Sequence, residues 1–313
     1  MTVRIRCLFV LLLVAPIGCG PAPSAVPATP TAGATYRDQA WVAVAPLRLP
    51  RSHLGAVSVG GAIYAIGGLV QGTSTGSVTV ERYGRASNDW SAVADLPQRT
   101  DHAMVAAMAS RIFVFGGGFA SPSRRSYRFD VERARWVEIA PLPEMRAAGG
   151  AAVIGSRIYV AGGFGANRQL LASAYAYDPD SDRFERIADL PNPREHVAVV
   201  TFRGRLCVLG GHFGAADQSA VAECYDPTTG GWSNLPPMPS RASDFDAVVV
   251  SDLIWTVGDD VQVFDGQRWW VAPPLSTPRF GVAAAAIDRS IYVIGGAPRR
   301  PAPLGIVERI DVP

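Results

Sequence analysis

The sequence predicts an all-β fold assembled from six copies of one four-stranded unit. Three observations carry this. A short apolar run closing on a glycine pair recurs six times: IYAIGG from Ile63, IFVFGG from Ile112, IYVAGG from Ile158, LCVLGG from Leu206, IWTVGD from Ile254 and IYVIGG from Ile291. An arginine precedes each first glycine by 16 or 17 residues: Arg51, Arg99, Arg146, Arg194, Arg241 and Arg279. Between these marks each unit holds four short apolar segments separated by turn residues, with no helical period. One such sheet cannot bury both of its faces, so the units must stack on each other.

Within a unit the order is constant. A Trp comes first, then a Leu-Pro or similar pair, the arginine, an apolar stretch, a tight turn, the glycine pair and an aromatic. The first unit shows these as Trp41, Leu47, Arg51, Gly67-Gly68 and Tyr83; in the fourth, Phe184 stands for the Trp. This pattern resembles the kelch repeat from about Asp38 to the C-terminus. The resemblance implies a six-bladed β-propeller in which the glycine pair ends the second strand of each blade and the Trp and Tyr fill the space between blades. The register also tells how the ring closes. The folded part opens with a fourth strand, WVAVAP from Trp41, and ends with a third, GIVERIDV, so the N-terminal strand must complete the last blade.

Ahead of the repeats stand two basic residues, Arg4 and Arg6, then an apolar run from Cys7 to Gly18. About 12 residues is too short to span a bilayer and suits the core of a signal peptide. The run ends at Gly18-Cys19, which resembles the lipobox of bacterial lipoproteins, departing from it at Pro16, where leucine is usual. The expected organisation is a signal peptide over 1–18, Cys19 as the lipidated mature N-terminus, a Pro/Ala/Thr-rich tether over 19–37 and a propeller over 38–313. A plain secretory signal is the alternative. The resemblance implies a bacterial envelope protein, at the outer membrane or periplasmic face, that touches the membrane only through its lipid.

Composition excludes several chemistries. All 29 basic residues are arginine, which removes any Schiff-base or phosphate-loop lysine. The formal charge of +2 falls to zero once Arg4 and Arg6 leave, so no nucleic-acid partner is expected. After processing only Cys207 and Cys224 remain, on the second and third strands of one unit; a disulfide between them is open, two small buried thiols being the alternative.

Strand direction places the six arginines and the loops after the glycine pairs at one mouth of the channel, called the top face here. There the arginines form a candidate ligand rim or simply pin the loops. Fourteen residues before each first glycine stand His53, His102, Ala148, His196, Asp244 and Gly281, so three of the chain's four histidines share one station. Imidazoles and carboxylates facing one channel suit metal binding or proton transfer. Against a metal, opposite blades of a six-bladed ring are expected to lie too far apart for one ion. Blade five lacks a top loop, which predicts a notch beside Asp259, Asp260 and Trp270. The stretch from Asp178 to Asp189 imitates a calcium loop but has Arg183 where the loop needs glycine.

The expected function is therefore that of a monomeric, non-enzymatic binding module without metal or cofactor. It would take an unidentified protein, peptide or glycan at its top face through Arg51, Arg99, Arg146, Arg194, Arg241, Arg279, His53, His102, His196 and Asp244. The enzymatic alternative is resemblance to the periplasmic sialic-acid mutarotases of the kelch type, with Arg194, Glu195 and His196 as the working groups, although that family's long inserted segments are missing.

Overall fold

The computed structural model describes residues 39–214, 217–298 and 302–313. The expected signal segment over 1–18, Cys19 and the expected tether lie outside them. No helix occurs among the described residues. Twenty-four strands make six antiparallel sheets of four.

The N-terminal strand is β1 (Val42–Val44). Blade one follows as β2 (Gly55–Val59), β3 (Ala62–Ile66), β4 (Val80–Gly84) and β5 (Asp89–Ala92), and blade two as β6 (Met104–Met108), β7 (Arg111–Phe115), β8 (Ser126–Asp130) and β9 (Arg135–Ile139). Blade three is β10 (Gly150–Ile154), β11 (Arg157–Ala161), β12 (Ala174–Asp178) and β13 (Arg183–Ile187), and blade four is β14 (Ala198–Phe202), β15 (Arg205–Leu209), β16 (Ala222–Asp226) and β17 (Gly231–Asn234). Blade five is β18 (Asp246–Val250), β19 (Leu253–Val257), β20 (Gln262–Phe264) and β21 (Trp269–Val271). Blade six has β22 (Ala283–Ile287), β23 (Ser290–Ile294) and β24 (Val307–Asp311), and β1 pairs antiparallel with β24 through Val42–Arg309, Ala43–Glu308 and Val44–Val307. The ring is thus closed by a strand from the far end of the chain, as the repeat register predicts, and blade six has no open edge there.

The repeat residues explain why the blades stack. The repeat tryptophans lie on an outermost strand, or in the case of Trp41 directly before one, and each donates its indole N–H to a carbonyl of the preceding blade: Trp90 to Ala45, Trp136 to Ala94, Trp232 to Ala188, Trp269 to Pro236 and Trp41 to Pro273, all at 2.8–3.0 Å. Phe184 has no such donor, and packs instead on Phe115, Tyr175 and Tyr177. The middle strands β3, β19 and β23 are buried along their whole length, so apolar clusters fill the wedges between blades. Asp178 caps a hairpin turn by accepting the N–H of Asp180 (2.9 Å), which is the local role of the calcium-like stretch.

Candidate functional site

Two residues ahead of each innermost strand lies one station of a belt around the channel: His53, His102, Ala148, His196, Asp244 and Gly281. All six hold left-handed backbone, with φ between 49° and 62°. Each N–H bonds the carbonyl of the equivalent residue in the preceding blade, from His102 N–H to His53 O (2.9 Å) round to His53 N–H on Gly281 O (2.7 Å). The six bonds close on themselves. Left-handed backbone disfavours most side chains but is entered more readily by His and Asp, and freely by Gly, so the conformation itself favours five of the six residues found, Ala148 being the exception. Gly281 has a second reason: a β-carbon there would stand 2.7–2.9 Å from three atoms of the His53 ring.

Above the belt the top loops wall a cavity of about 540 Å³. His53, His102, His196 and Asp244 form its floor, and Phe119, Arg168, Leu170, Glu195, His212 and Phe213 stand around them. All four histidines of the chain therefore meet in one place. His212 is the residue that the repeat spacing does not reveal; it follows Gly210-Gly211 directly, on the blade-four top loop.

Asp244 is the hub. His53 Nε2 lies 3.2 Å from its Oδ1, His196 Nε2 lies 3.4 Å from the same atom, and His212 Nε2 lies 3.1 Å from Oδ2. Ser243 Oγ donates to Oδ2 at 2.8 Å and is itself held by Gln218 Nε2 at 3.0 Å. Burial alone would raise this carboxyl, but hydrogen bonds from His212 and His53 and the nearby His196 hold it well below the usual carboxylate range. The hydrogen bond to Asp244 in turn raises His212 above an ordinary imidazole.

His102 behaves differently. Burial, then the neighbouring His53, pushes it down to about 3, against the opposing pull of Asp101. Asp101 Oδ1 lies 2.6 Å from His102 Nδ1 and also accepts the Phe119 N–H at 2.8 Å. Those bonds outweigh burial and keep Asp101 below its ordinary range. Glu195 Oε2 and His196 Nδ1 are 3.2 Å apart but not aligned for a hydrogen bond, so both remain buried without a partner among the described residues. The upper wall is aromatic. His102 stacks on Phe119 (4.9 Å between centroids), and the Arg168 guanidinium lies 3.6 Å from the Phe119 centroid and 4.5 Å from that of Phe164.

Three expectations need correction. The first is the arginine rim. Arg51, Arg146, Arg194 and Arg279 are fully buried. Each donates to the carbonyl of the first glycine in its own blade, Gly67, Gly162, Gly210 or Gly295, at 2.5–2.7 Å. Each also pairs with a carboxylate: Glu81 (3.6 Å), Glu144 (2.9 Å), Glu223 (2.8 Å) or Glu308. They pin the loops and cannot face a ligand. Arg99 and Arg241 stand 17 rather than 16 residues before the glycine, and both are exposed. At the pinning station of blade two, Thr100 Oγ1 reaches Gly116 O instead (3.3 Å).

The second concerns distance across the channel. His53, His102 and His196 come from blades one, two and four, yet each offers a ligand atom within 4.8 Å of the others. The belt residues lean towards the axis, which brings even opposite blades together. The third concerns the notch. The β19–β20 connection is indeed short, but Asp259 and Asp260 do not line the cavity, whose walls come from the top loops of blades two, three and four. Trp270 lies on β21 and packs against the core between blades five and six.

Cys207 and Cys224 are directly opposed on β15 and β16 with Cα atoms 4.0 Å apart, and they are bonded.

Comparison with known proteins agrees with this architecture. The model of the KLHDC2/KLHL20/DRC7 Kelch-repeats domain matches residues 53–259. Kelch-like protein 25 of Xenopus tropicalis is 33% identical over 97 residues, 31% of this chain and 16% of that protein. Human Kelch-like protein 35 is 39% identical over 77 residues, 25% of this chain and 13% of the relative. The chain thus matches only about a sixth or less of the length of these curated relatives. Among solved structures, that of YjhT superposes with a TM-score of 0.73 at 15% identity, over 84% of this chain and 96% of the other, and so shares the fold. With six blades, the repeated glycine pairs and a family match across most of the ring, the chain belongs to the kelch-repeat family.

Proposed function

We propose that this propeller is a non-enzymatic binding module of the bacterial envelope that receives the tip of a glycan or peptide, free or on a protein, in its top-face cavity. One observation carries the reading. A pocket of ligand size has an aromatic and cationic wall, Phe119, Phe213 and Arg168, above a floor of imidazoles and the Asp244 carboxylate. Aromatic faces take the apolar side of a sugar or residue while the floor meets its hydroxyl or amide groups. The export half of the proposal rests on the signal-like run ending at Cys19, and is supported by the Cys207–Cys224 disulfide, a bond favoured outside the cytosol.

The test is saturable binding of the purified protein to a glycan array and a peptide library. Arg168→Ala and Phe119→Ala should weaken it at least ten-fold. Arg157→Glu and Arg205→Glu, at the opposite ends of β11 and β15, should leave it unchanged. Binding lost only in the second pair overturns the assignment of the face. For the anchor, Cys19→Ala should release the protein from membranes; an unmodified N-terminus elsewhere by mass spectrometry overturns it.

A second reading, sugar mutarotation, keeps Glu195 and His196, which do line the cavity, but loses the buried Arg194 as its third group; among the described residues Arg168 is the arginine that lines it. Faster anomer exchange of a bound sugar, followed by NMR, would select this reading over simple binding.

A further inference from the structure

We propose that His53, His102 and His196 form a site for a divalent first-row transition-metal ion, with Zn²⁺ the best match, at the floor of the top cavity. The proposal goes beyond ligand binding in the cavity above this floor and does not depend on it.

The geometry supplies the donors. One nitrogen of each ring lies within 4.8 Å of one from each of the other two. Nδ1 is engaged by a neighbouring oxygen on two rings, Ser52 Oγ for His53 (3.2 Å) and Asp101 Oδ1 for His102 (2.6 Å), and on His196 it has the unaligned Glu195 Oε2 beside it (3.2 Å), while Nε2 of His53 and His196 points at Asp244. This leaves Nε2 of each ring as the coordinating atom. A carboxylate behind a histidine, fixing its tautomer and orientation, is the usual support of a metal-bound imidazole. Asp101 is held in that role by its second bond, to the Phe119 N–H.

Asp244 supplies a fourth donor. Its Oδ1 already lies 3.2 and 3.4 Å from the Nε2 atoms of His53 and His196, while its Oδ2 is occupied by His212 and Ser243. A tetrahedral zinc with bonds of about 2.0–2.1 Å separates its donors by about 3.3 Å. The Asp244 spacings already match that value, and the widest histidine spacing must contract by side-chain rotation. The backbone need not move, because the closed belt of hydrogen bonds fixes the three stations. Three imidazoles and one carboxylate, with no thiolate, favour Zn²⁺, Co²⁺, Ni²⁺ or Cu²⁺ over Mg²⁺ or Ca²⁺.

The experiment titrates Zn²⁺ alone into chelator-treated protein that carries no histidine tag, in competition with a chromogenic chelator. One ion per chain is expected. His102→Gln and His196→Gln should each lower affinity at least ten-fold, and Asp101→Asn, a positioning change, by about 10–100-fold. X-ray absorption on the zinc-loaded unsubstituted protein reads the donor set independently of variant folding and should show imidazole scattering from several histidines. Absence of saturable uptake, or a zinc shell without imidazole, overturns the proposal. Because no glycan or peptide enters the assay, its failure would leave the proposed binding function standing.

Discussion

Two rings of residues lie two places apart in every repeat and have opposite fates. The residue 16 before the first glycine turns back into its own blade; the residue 14 before turns to the axis. At the first station Arg51, Arg146, Arg194 and Arg279 meet the same partners each time, a glycine carbonyl and a buried or half-buried glutamate. Because the partners repeat, the residue repeats. At the second station the backbone is equally uniform, left-handed in all six blades, but the side chains meet one another rather than their own blade. Ring closure makes each environment different, so His, Ala, Asp and Gly all occur. Repetition of a residue marks framework here, and variation on a repeated backbone marks the candidate chemistry.

The largest expected effect breaks the framework ring. Arg194→Ala leaves Glu223 buried with its charge unmatched and strips donors from Gly210 O and Val208 O. Removing one partner of a buried pair costs about 3–5 kcal/mol. Urea denaturation should show a midpoint lowered accordingly, and Arg194→Lys should recover little, since one ammonium cannot reach carbonyl and carboxylate in the same fork. An Arg194→Ala protein of unchanged stability that no longer binds ligand would move Arg194 back to the rim.

Next in size is the axial ring. Gly281→Ala brings a β-carbon against the His53 ring and forces that ring off Asp244 or the backbone off its left-handed station. Crowding and strain together should cost about 1–3 kcal/mol. The His53 ring resonances should shift more than those of any other histidine. Stability and spectra both unchanged would show that the ring packing on Gly281 is loose.

One station further along, Asp246 faces the channel and sharpens the contrast with Asp244. No histidine bonds it. Burial raises its carboxyl to about 6, against the N–H donors of Ala284 and Ala247. A folded value above the unfolded one near 3.9 means that the native state takes up the proton first. Stability from this group therefore rises as pH falls from above 6 towards 4, and its cost is fully present at neutral pH. Asp246→Asn should remove that slope, worth about 1–2 kcal/mol after allowing for water in the channel. A pH profile between 4 and 7 that is the same with and without the substitution would contradict the assignment.

Much of this was legible in the repeats, and the failures have physical causes. Six blades and the N-terminal closure follow from counting Trp and glycine pairs, because blade geometry is periodic. The arginine spacing also held the answer to its own role: 16 marks the buried pin and 17 the exposed neighbour, since one residue of slip in extended chain reverses the side chain. Treating both spacings as one class hid that. His212, Phe119, Phe164 and Arg168 were missed because they lie on loops of unequal length, outside any period. Their shared cue is weak: Phe119, Phe164 and His212 each directly follow glycine at the end of a second strand. The convergence of blades one, two and four on a single point was not legible at all, because no spacing along the chain reports how far side chains lean across a ring.

The smallest effect gives the cleanest test of the two spacings. Arg241 is more than two-thirds exposed and meets Asp217, equally exposed, at 3.3 Å. It also reaches Gln218 O at 3.2 Å. Such a pair is screened by water and salt and contributes about 0–1 kcal/mol. Arg241→Ala should therefore leave the urea midpoint nearly unchanged, where Arg194→Ala lowers it strongly. On ligand binding the order should reverse. Gln218, beside Arg241, holds Ser243, which bonds Asp244, so loss of Arg241 loosens the edge of the cavity while the fold stays intact. A two- to three-fold weakening of top-face binding that fades in high salt is the expected signature. If Arg241→Ala instead lowers stability as far as Arg194→Ala does, the one-residue difference in spacing carries no structural meaning and the separation of the two rings fails.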